Sequence, residues 1–127
     1  MVEKRLPSDV VKATLCYLGK GDRFPADMPK IYRTFYGISK EMKFHDLFKG
    51  FIFDDSQSYP FCSTIEFAFN RLQSSGLLEC INPKLNEFQI TQDLSSIDDE
   101  VETLFKDEGD VQLLKEIATV FKTRMKE

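Results

Sequence analysis

Ser63-Thr64-Ile65-Glu66-Phe67-Ala68-Phe69-Asn70-Arg71-Leu72-Gln73-Ser74-Ser75-Gly76-Leu77-Leu78-Glu79-Cys80-Ile81, followed after a polar turn by Glu87-Phe88-Gln89-Ile90-Thr91, decides the fold. Ser63 and Glu66 have the spacing of a capping box: the serine oxygen accepts from the helix start, and the glutamate accepts from the serine's own N–H. Ile65, Phe69 and Leu72, with Ala68 beside them, recur at the spacing of one helix face. Gly76 reads as the helix end, because glycine takes the left-handed conformation at little cost. Residues 77–81 read as a strand, residues 82–86 as a turn, and residues 87–91 alternate with the period of a second strand. The pattern predicts a capped helix that reverses at Gly76 into an antiparallel hairpin.

Upstream, Pro7-Ser8 opens a helix carrying Val11, Leu15 and Leu18, with Ser8 as the expected cap and Gly19 and Gly21 as its end. A second helix is expected from Asp27, with Pro29 in the first turn where a missing N–H is harmless. Ile31, Phe35 and Ile38 line one side of it, and Tyr32 and Tyr36 an adjacent one. Residues 40–53 suit either a short helix around Phe44, Leu47 and Phe48 or a buried strand at Phe51-Ile52-Phe53. Asp54-Asp55-Ser56-Gln57-Ser58 reads as a polar loop. Downstream, Ser96 is the expected cap of a helix whose first turn holds Asp98, Asp99 and Glu100, favourable against the positive helix end. Gly109 reads as a break and Asp110 as the cap of a last helix carrying Val111, Leu114, Ile117, Ala118, Phe121 and Met125 at near-heptad spacing. That stripe is a candidate homodimer contact or part of the chain's own core.

The 127 residues fit one domain, 1–127, with a core over 1–92 and an acidic helical extension over 93–127. Hydrophobic residues at 42% and charged residues at 30% suit a water-soluble globular chain, and twelve Phe supply much of the core volume. No stretch approaches the roughly 20 apolar residues a membrane span needs. Met1-Val2-Glu3-Lys4-Arg5 has no apolar run behind it, so no signal peptide is expected. Three widely separated cysteines, Cys16, Cys62 and Cys80, argue against a disulfide framework and for a reducing compartment, the cytoplasm. The net charge of −4 divides unevenly: residues 1–92 hold 12 Lys/Arg against 11 Asp/Glu, and residues 93–127 hold 5 against 10.

No catalytic constellation stands out, and no metal site or cofactor is expected. His45 is the sole histidine, and its neighbour Asp46 would point elsewhere on a helix. Cys16 and Cys80 lie in apolar runs, which leaves Cys62, beside a helix cap, as the thiol best placed to react. Gly19-Lys20-Gly21 lacks the spacing and the Gly-Lys-Ser/Thr ending of a phosphate loop. The acidic pairs lack the spaced oxygens of a calcium loop.

The block from Ser63 to Thr91 resembles the second half of a winged-helix domain, in which a helix ends at glycine, two apolar residues follow and a two-stranded wing returns. The resemblance implies an α+β, mainly helical, winged-helix-like domain with a small two-stranded antiparallel wing and two additional C-terminal helices. It also implies the family's usual role of DNA binding, with the helix before the wing in the major groove. Thr64, Asn70, Arg71 and Gln73 would then be readers and Lys84 a phosphate contact, as in a transcriptional regulator. Two features of the residues point to a protein partner instead. The presumptive reader helix is neutral, with Glu66 against Arg71, whereas phosphate neutralisation supplies most non-specific DNA affinity. More than twenty residues also separate Ile38 from Ser63, where paired helices are usually joined by three or four. The expected function is a non-enzymatic protein-interaction or adaptor module, with duplex DNA binding as the alternative.

Overall fold

The computed structural model describes residues 6–56, 58–81 and 86–126. In chain order these form α1 (Pro7–Cys16), β1 (Arg23–Pro25), α2 (Met28–Ser39), a 3-10 helix (Met42–Phe48) and α3 (Ser63–Ser74). They continue with β2 (Leu78–Ile81), β3 (Glu87–Ile90), α4 (Gln92–Ser95), α5 (Asp98–Leu104) and α6 (Glu108–Met125). The architecture is α+β and mainly helical, with one antiparallel sheet in the order β1-β3-β2.

The junction after α3 follows its residue pattern atom by atom. Gly76 has a φ of 79°; its N–H donates to the Gln73 carbonyl at 3.1 Å and that of Leu77 to Leu72 at 2.9 Å. This is the paired 6→1 and 5→2 closure that a left-handed glycine permits. β2 and β3 then pair directly, Cys80 opposite Phe88 and Leu78 opposite Ile90. Thr91 ties the exit of the hairpin back to its entrance: its hydroxyl donates to the Leu77 carbonyl at 2.7 Å and accepts from the Leu94 N–H at 3.1 Å.

The sheet has three strands, not two. β1 adds to the free edge of β3, with Phe24 opposite Phe88. Its last residue, Pro25, sits on an edge strand, where a missing N–H breaks no ladder. Phe24 is the hub of the interior. Its ring lies 5.6 Å from Phe88, 6.4 Å from Phe69 and 5.3 Å from Phe121, so strand, hairpin, α3 and α6 meet on one side chain.

Several helix starts differ from expectation: Asp107 rather than Asp110 caps α6, while α3 and α5 start at Cys62 and Ile97 with no side-chain cap. Ser8 lies inside the first turn of α1, with Pro7 at its start, and the Asp9 carboxylate accepts the Leu6 N–H at 2.8 Å. Cys62, not Ser63, is the α3 cap residue, and the expected capping box does not form. Ser96 ends α4, so three helices rather than two follow the sheet. α6 is capped by Asp107, which accepts from Gly109, and runs straight through Gly109 and Asp110. Asp27 does cap α2, accepting from Lys30 N. Residues 42–48 are helical, whereas 51–53 form no strand and lead to a single antiparallel bridge between Asp54 and Phe61.

One apolar cluster includes Val101, Phe105, Leu114, Ile117, Ala118, Phe121 and Met125 together with α1, α2 and α3, so residues 93–126 are part of the core and no appendage. The stripe considered for a homodimer is buried within the chain: Leu114, Ile117 and Phe121 are fully covered. The cationic last turn of α6 is fastened across the molecule. Lys122 reaches Asp22 at 3.3 Å, Arg124 reaches Glu41 at 3.1 Å, and Lys30 donates to the Met125 carbonyl at 3.0 Å.

A candidate interaction surface on α1 and α3

α3 buries Ile65, Ala68, Phe69 and Leu72 and turns its other sides to solvent. At 3.6 residues per turn, residues three and four apart share a row. Glu66, Asn70 and Gln73 therefore make one exposed row, and Phe67 and Arg71 a second. The four residues expected to read DNA do not share one row of α3. Asn70 and Gln73 lie with the Glu66 carboxylate in their row, and the Gln73 amide donates back to the Phe69 carbonyl at 3.3 Å. Thr64 is half-buried at the start of the helix. Arg71 belongs to the other side, its guanidinium 5.5 Å from the Phe67 ring centre. Lys84 lies outside the described residues.

The second row faces α1 across a cleft of about 290 Å³, lined on the α3 side by Phe67, Ala68 and Arg71 and on the α1 side by Leu6, Asp9 and Lys12. A shallower extension passes over Pro7, Ser63 and Thr64. Phe67 is 49% exposed and Leu6 57%, large apolar side chains left in water at the mouth of the cleft. Of the charged groups, the Asp9 carboxylate is engaged with Leu6 N–H, and the Lys12 ammonium lies 3.3 Å from Glu100 of α5. Among the described residues, the contact given for the Arg71 guanidinium is the Phe67 ring. Phe67, Leu6 and Lys12 were not singled out from the sequence. The signal for Phe67 was present, since it lies about 200° from both Ile65 and Phe69 on the helical wheel and so cannot share their buried face.

Compared with protein-family models, with curated proteins and with solved structures, the chain matches none. The site rests on its own geometry.

Other groups that could carry chemistry are dispersed. Among the described residues no three His, Cys, Asp or Glu side chains gather where a metal ion could be held. No helix of these residues is long and apolar enough to cross a membrane. Cys62 is fully buried, contrary to its expected place as the reactive thiol. Burial, reinforced by the Asp98 charge, pushes the Cys16 thiol up to about 11, with its Sγ–H directed at the Ser95 carbonyl at 3.9 Å. Cys80 on β2 is half-exposed. His45 and Asp46 are both exposed on the 3-10 helix, and Asp46 pairs with Lys49 at 3.4 Å.

Proposed function

We propose that this chain is a non-enzymatic, winged-helix-like protein-interaction module that meets its partner through the outward side of α3 and the neighbouring end of α1. The observation that carries the reading is Phe67, half-exposed on the outer side of α3 and opening onto a cleft that mixes apolar side chains with Asp9, Lys12 and Arg71. A buried aromatic can remove roughly 150–250 Å² from water, and aromatic and Arg side chains dominate protein interfaces. Phe67 with Arg71 stacked over it has that composition. The helix, left-handed glycine and hairpin support the winged-helix-like part of the reading, as does the third strand that completes the sheet.

Duplex DNA is the less favoured ligand. A recognition helix offers polar groups to base edges and cations to phosphates. Here the polar row of α3 carries the Glu66 carboxylate, and the other row is half aromatic. The reading is tested with a photo-crosslinking amino acid placed at position 67 of the full chain in its native cell, and at exposed position 119 on α6 as control. A discrete protein adduct from position 67 alone is the expected result. Salt-dependent binding of the purified chain to duplex DNA at low ionic strength, lost on Asn70→Ala or Gln73→Ala, would replace the reading with the regulator.

A further inference from the structure

The cleft between α1 and α3 and its shallower extension share Leu6, Ser8 and Phe67, so the two form one face that runs along α3 from Ser63 to Ser75. Each helix supplies one wall. Each wall carries one large exposed apolar side chain and one charge that no ion pair among the described residues cancels. On the α1 side these are Leu6 and Asp9; on the α3 side they are Phe67 and Arg71. The Asp9 carboxylate accepts the Leu6 N–H at 2.8 Å, a neutral donor that cancels no charge. The Arg71 guanidinium lies 5.5 Å from the centre of the Phe67 ring, which is a neutral partner as well. Lys12, the third charged residue of the cleft, already pairs with Glu100 at 3.3 Å. What remains is one apolar group and one charge per wall, the charges opposite in sign.

We infer that this face is the contact of a symmetric homodimer, in which α1 of each copy lies against α3 of the other. A two-fold axis through the middle of the cleft exchanges its walls. It sets Leu6 against Phe67 of the second copy and Asp9 against Arg71 of the second copy, and each pairing occurs twice. A surface that serves a different protein needs no relation between its two walls. Here each wall complements the other, in apolar character and in charge. Arg also offers a carboxylate two parallel N–H donors, and the ring beneath the guanidinium holds its plane for them. The inference rests on the interaction-module reading and names the partner as a second copy of this chain. The face spans about 18 Å along α3 and about 20 Å across two helices. That is smaller than the roughly 800 Å² per partner of a stable complex, so the dimer forms as concentration rises and is not permanent.

The test is a pair of charge reversals, studied singly and mixed, in analytical ultracentrifugation of the full chain. Arg71→Asp alone sets two carboxylates against each other at both pairings, and Asp9→Arg alone sets two guanidinium groups. Each variant should self-associate at least tenfold more weakly than the unaltered chain. An equimolar mixture should regain the dimer to within a few-fold, because the two variants complement each other at both pairings. Asp9→Arg also removes the acceptor of the Leu6 N–H, so melting temperatures accompany the sedimentation. A readout independent of that variant is the purified chain with a photo-crosslinker at position 67. It should give an adduct of twice the chain mass, joined to residues 6–12 of the other copy. An unaltered chain that stays monomeric at every concentration, or a mixture that stays monomeric while both variants are folded, would overturn the inference. So would loss of association on Ile52→Glu or Met42→Glu, because another exposed apolar side chain of the second copy would then fill the cleft. If the chain is monomeric while position 67 cross-links a different protein in the cell, only the choice of partner fails. If position 67 cross-links nothing and the chain retains duplex DNA, the interaction-module reading fails with it.

Discussion

α3 and α6 are both amphipathic helices with aromatic residues, and they use that content in opposite ways. In α6 every large apolar side chain of the stripe, from Leu114 through Phe121 to Met125, is closed off by the chain itself. In α3 the stripe is equally buried, but Phe67 remains outside it. In the sequence the near-heptad repeat of α6 suits either a homodimer contact or the chain's own core, and Phe67 is not singled out. The structure puts the α6 stripe in the chain's own core and leaves Phe67 exposed. An apolar stripe indicates a partner only after the side chains that the core itself needs have been subtracted, and of these two helices only α3 keeps a large apolar side chain, Phe67, exposed.

The sharpest way to break this comparison is to empty the α6 contact. Phe121 is fully buried and packs 5.3 Å from Phe24 and 5.0 Å from Phe35. Phe121→Ala should destabilise the fold by about 3–5 kcal/mol, the range for a fully buried aromatic truncated to leave a cavity. Denaturant titration reads it. A loss below about 1 kcal/mol would mean that α6 is not part of the core, and its stripe would again be available for a dimer.

The α3–hairpin region was legible because its signals are local. Glycine's φ and the periods of Leu72 and Phe88 act within a few residues of one another, while the turn expected over 82–86 lies almost wholly outside the described residues. β1 was not legible: three residues ending in proline carry no periodicity, and Arg23–Pro25 become a strand only because β3 offers an open edge. The helix caps failed for a related reason. Ser63 and Ser96 have capping chemistry, but the chain path places Cys62 and Ile97 at the cap positions, and tertiary packing sets that path. The cleft needs α1 and α3 side by side, across more than fifty residues of sequence. Only Phe67 carried a clue, by falling out of phase.

A smaller effect isolates the α3 junction from packing. A Cβ on Gly76 would meet nothing within 4 Å, so its φ of 79° is the whole obstacle to a side chain. Gly76→Val should therefore cost more than ~1 kcal/mol through backbone strain, and Gly76→Asn distinctly less, because Asn tolerates the left-handed region better. Equal melting temperatures for the two variants would remove the left-handed turn from the account.

pH probes α1, which packs against both helices. The folded Cys16 thiol stands at about 11 against an ordinary 9.0, and burial raises the Tyr32 hydroxyl to about 12 from 10.0. In both cases the unfolded chain releases the proton first. The stabilisation is complete below about pH 9, declines as pH rises towards 11 for Cys16, and declines about one pH unit higher for Tyr32. Urea midpoints between pH 8 and 11 should fall over this window, and Cys16→Ala should flatten the first part of the decline. At pH 8, Cys80 should be the first thiol labelled in the native chain. Rapid labelling of Cys16 would show α1 opening away from its neighbours.

The least perturbing change to the fold is the one that tests the proposed function. Phe67 is half in water, so Phe67→Ser removes little buried area, and exposed substitutions of this kind usually stay within about 0.5 kcal/mol. Arg71 loses the ring beneath it but no ion pair among the described residues, and an exposed contact of that sort contributes about 0.5–1 kcal/mol. Denaturation midpoints should thus hardly move, while capture of the partner from its native source is lost. A large stability loss would mean that Phe67 closes the core as Phe121 does, and the two helices would no longer differ. Retained capture at unchanged stability would leave the difference in burial intact but strip it of function, moving the search to the Asn70 and Gln73 row.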